Sequence, residues 1–212
     1  MLRLASKLAT LILLVATIFM GDRAYADAPV KSMESPAKST ESIVLAGGCF
    51  WGVQAVFQHT KGVVTAMSGY AGGKADTAHY DMVSGGNTGH AESVEVTYDP
   101  KQIALDQLLG IYFTVAHDPT QLNYQGPDHG TQYRSAVFYR TPQQQKVVQE
   151  YISKLKASAP VVTTLESLTA FYPAENYHQN YATLHPDSPY IMAYDAPKIA
   201  ALKKMFPELY VK

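Results

Sequence analysis

The feature that most constrains this chain is its single cysteine, Cys49, among 212 residues. One thiol cannot form an intramolecular disulfide, so folding has to rely on an apolar core. Hydrophobic residues make up 47% of the sequence, which is enough for one globular domain in a chain too short to argue for two. Cys49 is therefore either a small buried hydrophobic residue or a reactive thiol that must be regenerated from outside.

The N-terminus has the pattern of a secretory signal. Arg3 and Lys7 flank the start of an apolar run of 13 residues, Leu8 to Met20, and Ala24-Tyr25-Ala26 supplies a cleavage site. The alternative is an uncleaved membrane anchor, but such a run spans only about 20 Å as a helix, short of the roughly 30 Å hydrocarbon core. We therefore predict an exported protein, periplasmic or extracellular, with no stable membrane insertion after cleavage.

Composition divides the chain into three parts. We predict a signal peptide over residues 1–26, a flexible linker over residues 27–40 and a folded domain over residues 41–212. The linker is rich in Pro, Ala, Ser and Lys and lacks apolar periodicity. A formal net charge of -1 argues against a nucleic-acid partner held by bulk electrostatics.

Local patterns predict a mixture of strands and helices. The apolar run Ile43–Ala46 ends at two glycines and is typical of a buried strand, and helical spacing follows from Cys49 to Gln58. Further strands are predicted at 63–70, 90–98, 135–139 and 161–165, and helices at 105–117, 141–156 and 197–205. Because few parallel βαβ signals are present, we predict an α+β fold, a two-layer α/β sandwich with a ferredoxin-like core and a mixed sheet.

Cys49 lies where the first predicted strand turns through Gly47 and Gly48 into a helix. Free backbone N–H groups and the helix dipole at such a position stabilise a thiolate, which predicts a lowered pKa for the Cys49 thiol. The two glycines would also let another group approach the sulfur closely.

The strand predicted at 90–98 carries one carboxylate on each face. Glu92 shares its face with Val94, Val96 and Tyr98, whereas Glu95 lies on the other. Glu92 is either a carboxylate at the solvated end of the strand or a buried group. Burial would raise its pKa, and a carboxylic acid that is neutral at neutral pH can donate a proton.

Five segments in order resemble one enzyme family. The turn at Cys49 is similar to the Gly-Cys-Phe-Trp-Gly signature of A-type peptide methionine sulfoxide reductases. Four more segments resemble conserved stretches of that family: Ser68–Gly73 (SGYAGG), Gly89–Glu92 (GHAE), Asp128–Ser135 (DHGTQYRS) and Ala174–Gln179 (AENYHQ). The resemblance spans residues 47 to 179, and five ordered matches are far more specific than one pentapeptide.

The resemblance implies a reaction and a set of site residues. The Cys49 thiolate would attack the sulfoxide sulfur while Glu92, aided by Tyr70 and Tyr133, protonates the oxygen. Methionine would leave and Cys49 would become a sulfenic acid. The resemblance implies specificity for the S epimer and a substrate site in which Phe50 and Trp51 hold the methyl group. It also places Asp128 and His178 in the substrate site; His178 is equally compatible with a structural role.

The chain departs from the family pattern in its cysteines. Many members carry one or two resolving cysteines near the C-terminus, and this sequence has none there. The resemblance then implies an external thiol reductant that is thioredoxin-like, glutaredoxin-like or a small thiol. Oxidised proteins or free methionine sulfoxide would be the substrates of a monomeric enzyme. Gln54 replaces an acidic residue expected at this helix position.

Other signals are weak. No phosphate-binding loop, H-E-x-x-H motif or cysteine pair is present in the sequence, so we predict no metal and no bound cofactor. Two alternatives stay open at this point. One is a cysteine hydrolase that uses Cys49 with one of seven histidines, and the other is a non-catalytic exported binding module with Cys49 buried.

Overall fold

A computed structural model describes residues 39–212. The predicted signal peptide and nearly all of the predicted linker lie outside the described residues. Within residues 39–212, no helix combines the length and the apolar character that crossing a bilayer requires.

The described residues form eight strands and six α-helices. The strands are β1 (Glu41–Ala46), β2 (Val63–Ala71), β3 (Ala91–Tyr98), β4 (Tyr124–Gln125), β5 (Asp128–His129), β6 (Ala136–Tyr139), β7 (Thr164–Ser167) and β8 (Phe171–Pro173). The helices are α1 (Phe50–Gln58), α2 (Tyr80–Val83), α3 (Leu105–Ile111), α4 (Pro142–Lys156), α5 (Tyr181–Leu184) and α6 (Ala196–Met205). A π-helical turn, Tyr112–Ala116, continues α3, and another, Ile191–Asp195, leads into α6.

Six strands form one mixed sheet in the order β7-β6-β1-β3-β2-β8. Strands β6 and β7 are parallel, and every other neighbouring pair in this sheet is antiparallel. The inner order β6-β1-β3-β2, with α1 between β1 and β2 and α3 between β3 and β6, is the ferredoxin-like arrangement. The predicted α+β class is therefore confirmed.

The helices cover one face of the sheet. Ile43 and Leu45 of β1 and Val94 and Val96 of β3 belong to a large apolar cluster, which also contains residues of four helices: Val53, Leu108, Val148 and Leu202. The apolar cluster on the opposite face of the sheet is smaller. It consists of Val44, Ala46, Ala71, Ala91, Ala136 and Phe138, packed with Leu168 and Phe171. Alternation along β1 thus separates the helical layer from a thin outer face.

Two predicted elements end or begin at other residues. The strand predicted at 161–165 lies at Thr164–Ser167, because the Val162 N–H donates to the Pro119 carbonyl (2.9 Å) and holds the preceding backbone against a loop instead of the sheet. The helix predicted at 105–117 changes to a π-helical turn at Tyr112 and ends at Ala116. The predicted start of α4 is confirmed, with the Thr141 hydroxyl accepting the Gln144 N–H (3.2 Å).

Candidate active site

The turn between β1 and α1 presents Cys49. Gly48 has a φ of +89°, a backbone conformation that residues with a Cβ rarely adopt. Gly47 lies against His117, and a Cβ at Gly47 would be only 2.6 Å from the His117 ring. The His117 ring is held by the Tyr112 carbonyl (2.9 Å) and the Ser135 hydroxyl (2.7 Å). These contacts set the path of the turn, which places Cys49 at the N-cap of α1.

Cys49 opens into a cavity of about 200 Å³. This size admits one amino-acid side chain and is smaller than the ~300–1,000 Å³ of typical cofactor or drug sites. The lining residues, which come from well-separated parts of the sequence, are Cys49, Phe50, Trp51, Tyr80, Glu92, Asp128, Tyr133 and Tyr190. We call this the substrate cavity. Two larger clefts, of about 560 and 650 Å³, have no cysteine in their lining.

Glu92 is buried at the floor of this site, with 2% of its surface exposed. The Phe50 N–H, in the first turn of α1, donates to Glu92 Oε2 (3.1 Å). Burial raises the pKa of Glu92 to about 8; the hydrogen bond from the Phe50 N–H opposes this shift, and the Asp128 carboxylate adds a smaller increase. The Glu92 side chain is therefore mostly protonated at neutral pH.

The expected low pKa of Cys49 is wrong for the free protein. Burial raises the pKa of the Cys49 thiol well above its ordinary value, and the nearby Glu92 and Asp195 carboxylates raise it further. A hydrogen bond with the Trp51 N–H acts in the opposite direction but is the weaker influence. Cys49 does lie at a helix N-terminus, as predicted, but the helix dipole does not compensate for the solvation that a buried thiolate would lose. Cys49 is a neutral thiol in this state.

Phe50 and Trp51 form the aromatic part of the wall. Trp51 stacks on Tyr181 with ring centroids 3.8 Å apart, and its Nε1–H donates to His178 Nδ1 (3.2 Å). His178 is buried, burial lowers its pKa, and it is not among the residues that line the substrate cavity. His178 therefore contacts Trp51 on the side away from the substrate cavity.

The structure separates the two predicted tyrosines. Tyr133 lines the substrate cavity, whereas the Tyr70 hydroxyl donates to Glu175 Oε2 (2.8 Å) and Tyr70 is absent from the lining. Glu175 also accepts the Tyr80 backbone N–H (2.9 Å), and Tyr80 itself lines the cavity. Sequence reasoning missed Tyr80 and Tyr190, because neither lies in a quoted motif and only the tertiary fold brings them to Cys49.

Asp128 completes the polar side of the cavity. It lies on the short strand β5 and accepts a short hydrogen bond from the Tyr190 hydroxyl. Within residues 39–212, no cluster of three or more His, Cys, Asp or Glu side chains is suited to hold a metal ion. The chemistry available at this site is that of a thiol, a protonated carboxylic acid and phenolic hydroxyl groups.

This geometry fits one class of protein, the thiol enzymes, whose chemistry combines a cysteine nucleophile with a proton donor. The family profile described as "Peptide methionine sulfoxide reductase" matches residues 41–209. A relative from Mesorhizobium japonicum, named peptide methionine sulfoxide reductase MsrA 2, is 56% identical over 181 residues, covering 84% of this chain and 93% of that protein. A relative of the same name from Synechocystis sp. is 45% identical over 183 residues, covering 84% and 86%.

Solved structures agree with the sequence relatives. The reduced form of Mxr1 from Saccharomyces cerevisiae superposes with a TM-score of 0.66 at 36% identity, covering 72% of this chain and 89% of that one. Methionine sulfoxide reductase A of Corynebacterium diphtheriae gives a TM-score of 0.62 at 39% identity, covering 69% and 76%. The chain belongs to the peptide methionine sulfoxide reductase A family.

Family membership decides between the readings that the sequence left open. The chain is an oxidoreductase that reduces methionine S-sulfoxide to methionine. This function supersedes the two alternatives, a cysteine hydrolase and a non-catalytic binding module. Enzymes of this family need no bound cofactor and recover their thiol from an external reductant of the thioredoxin type.

Proposed function

We propose that Cys49 is the nucleophile and Glu92 the proton donor of methionine sulfoxide reduction in this chain. The observation that carries the proposal is that Cys49 and a carboxylic acid with a pKa of about 8 line one cavity of about 200 Å³. Phe50 and Trp51 supply the apolar wall that would hold the substrate methyl group. Tyr80 and Tyr133 are the phenols placed to bind the sulfoxide oxygen.

The protonation states suggest how the step proceeds. Glu92 donates its proton to the sulfoxide oxygen, which makes the sulfur a better electrophile. Cys49 Sγ attacks that sulfur, and its own proton passes to the Glu92 carboxylate, so no net charge develops in the buried site. The adduct then collapses: its S–O bond and its bond to Sγ both break, the hydroxyl oxygen bonds to Sγ, and methionine and a Cys49 sulfenic acid result. Sulfur is reduced in the substrate and oxidised in the enzyme, by two electrons each.

The remaining predicted site residues receive different roles. Asp128, fixed by Tyr190, is placed to bind the substrate or its backbone amide. His178 positions the Trp51 ring through the Nε1–H···Nδ1 hydrogen bond instead of touching substrate. Tyr70 supports the site indirectly, because Glu175 joins its hydroxyl to the backbone of Tyr80.

The decisive experiment is a single turnover without reductant. Excess methionine S-sulfoxide should release about one equivalent of methionine per enzyme, with a sulfenic acid trapped at Cys49 and none in Cys49→Ser. Absence of methionine from folded enzyme would contradict the proposal. So would release by Cys49→Ser.

Glu92→Gln tests the proton donor. The substitution keeps an acceptor for the Phe50 N–H but removes the acidic proton, so kcat/KM should fall by about 10²–10⁴. Wild-type activity should also decrease as pH rises through about 8, when Glu92 loses its proton, and this limb should be missing in the variant. Glu95→Gln is the matched control, since Glu95 lies on the other face of β3 and pairs with Arg140. A Glu92→Gln enzyme with full activity would rule out the assignment.

We also propose that the enzyme is exported and repairs oxidised exported proteins, with residues 27–40 linking the cleavage site to a catalytic domain over residues 41–212. The charged start, the apolar run and Ala24-Tyr25-Ala26 support this. Mass spectrometry of the enzyme from a periplasmic extract or the medium should give a chain that starts at Asp27. A chain of full mass in the membrane fraction would contradict export by cleavage.

A further inference from the structure

Besides Glu92 and Asp128, a third carboxylate lies beside the Cys49 turn and has no part in the proposed reaction. Asp195 is completely buried, and it packs on the first turn of α1 so closely that a Cβ at Gly52 would overlap its Oδ1. Gly52 is three residues after Cys49, which is the N-cap of that helix. Asp195 therefore lies at the helix end that would otherwise stabilise a Cys49 thiolate.

The charge of Asp195 is only partly compensated. Lys198 Nζ lies 3.4 Å from Asp195 Oδ1, whereas Asp195 Oδ2 is buried and has no hydrogen-bond partner within residues 39–212. Burial raises the pKa of Asp195, and the Lys198 ammonium opposes that rise because it stabilises the carboxylate. The first turn of α1 has no acidic residue of its own. A carboxylate from a distant segment thus supplies negative charge at this helix end.

At neutral pH, Asp195 is the ionised carboxylate that acts most on the Cys49 sulfur. After burial itself, Glu92 and Asp195 raise the pKa of the Cys49 thiol most, and Asp128 adds less. Glu92 has a pKa of about 8 and is mostly neutral at pH 7. The facing phenols have raised pKa values and stay neutral: Tyr80, Tyr133 and Tyr190. The main charge that opposes ionisation of the thiol is therefore that of Asp195.

An oxidant smaller than the substrate has access to the sulfur. Cys49 also lines a second cavity of about 80 Å³, together with Tyr194 and Lys198. This volume corresponds to roughly three waters at ~30 Å³ each, which is enough for hydrogen peroxide. Oxidation by peroxide would use up the thiol without repairing a methionine, and further oxidation to a sulfinic acid is not reversed by thiols. The 212 residues hold no second cysteine that could trap the sulfenic acid as an internal disulfide.

We propose that Asp195 determines specificity: its buried charge keeps Cys49 slow toward peroxides while its reaction with sulfoxides stays open. This inference rests on the proposed roles of Cys49 and Glu92. With peroxide, the thiolate Sγ bonds to one oxygen, the O–O bond breaks, and the other oxygen leaves as hydroxide, which solvent protonates to water. Sulfur loses the two electrons that peroxide gains. A sulfoxide instead accepts the Glu92 proton, so the thiol proton passes to Glu92 and no free thiolate is needed.

The test compares two oxidants with one enzyme. Because Cys49 is the only cysteine, loss of free thiol measures its oxidation by hydrogen peroxide, and methionine release in a single turnover measures the sulfoxide reaction. We expect Asp195→Asn to raise the ratio of the two rate constants, peroxide over sulfoxide, about tenfold at pH 7. Asp195→Asn/Lys198→Gln leaves no unpaired ammonium and should raise the ratio as well. Asp106→Asn removes an exposed carboxylate from the first turn of α3 and should keep the wild-type ratio.

The pH profile separates an effect of charge from loosened packing. Peroxide oxidation and iodoacetamide alkylation both follow the thiolate fraction, so Asp195→Asn should move the midpoint of both profiles to lower pH by about one unit. An unchanged ratio in both Asp195 variants would overturn the inference while methionine release stays at one equivalent. Faster oxidation with an unmoved midpoint would also overturn it, since that result indicates a more accessible sulfur. Absence of methionine release from wild-type enzyme would instead overturn the proposed function.

Discussion

At the scale of single residues, surroundings decide what each titratable group can do. Glu92 and Glu95 are three positions apart on β3, yet Glu92 is buried with a pKa near 8 and Glu95 is partly exposed and paired with Arg140. The face on which Glu92 lies could be predicted from strand alternation alone. The pKa of Cys49 could not, because it depends on burial and on carboxylates that other segments bring close.

Three of the tyrosines at or near the site, Tyr70, Tyr80 and Tyr133, allow a direct comparison. Tyr80 and Tyr133 line the substrate cavity, whereas the Tyr70 hydroxyl is occupied by Glu175. Tyr133→Phe and Tyr80→Phe should each lower kcat by about tenfold, since each removes one hydrogen bond to the sulfoxide oxygen. Tyr70→Phe should lower kcat less than either and cost about 1 kcal/mol of stability instead. Steady-state kinetics beside urea unfolding of the three variants would check this order, and a larger loss of kcat in Tyr70→Phe would contradict it.

At the scale of elements, short sequence patterns predicted the positions of turns, strands and helix starts correctly. The strand–Gly–Gly–Cys turn, the alternation of β3 and the Thr141-Pro142 start of α4 all lie where sequence places them. The position of β7 was wrong because the preceding backbone bonds to Pro119, a contact between distant segments. Tyr80 and Tyr190 were missed for the same reason, since no local pattern reports which helix ends meet at Cys49.

Helix α1 packs so closely against the segment before α6 that there is no room for a side chain at Gly52. A Cβ at Gly52 would overlap Asp195 Oδ1 and lie 2.7 Å from Asp195 Cγ, and Asp195 is completely buried. Gly52→Ala should therefore destabilise the protein by about 1–2 kcal/mol, although alanine is the better helix former. Gly110 in α3 is the control, because a Cβ there meets its nearest atoms at 3.7 Å.

The matched substitution should have the opposite sign. Gly110→Ala gains helix propensity without a clash and should stabilise the protein by about 0.5–1 kcal/mol. Urea unfolding of both variants at constant pH measures the difference. If the two substitutions changed stability in the same direction, the steric role of Asp195 against α1 would be wrong.

At the scale of the whole molecule, folding buries titratable groups and thereby shifts their pKa values in different directions. Glu92 keeps its proton when folded up to about pH 8, whereas His117, braced behind the Cys49 turn, has its pKa lowered by burial to about 4. Their effects on stability have opposite signs. The contribution of Glu92 is fully present below its unfolded pKa of 4.5 and is lost as pH rises to about 8. That of His117 is present above its unfolded pKa of 6.5 and is lost as pH falls to about 4.

Glu92 dominates the pH dependence of stability between about pH 7 and 8. In this range His117 and His178, whose pKa values are lowered by burial, are neutral in the folded protein and mostly neutral in the unfolded chain, and Cys49 stays protonated below its ordinary pKa of 9.0. The unfolded chain has already released the Glu92 proton that the folded protein mostly keeps. The free energy of unfolding should therefore fall by about 1 kcal/mol between pH 7 and 8. Glu92→Gln should remove this slope and Glu95→Gln should keep it in urea titrations. A flat wild-type profile would mean that Glu92 is ionised at neutral pH and cannot act as the acid, which ties the chemistry of the site to a property of the entire fold.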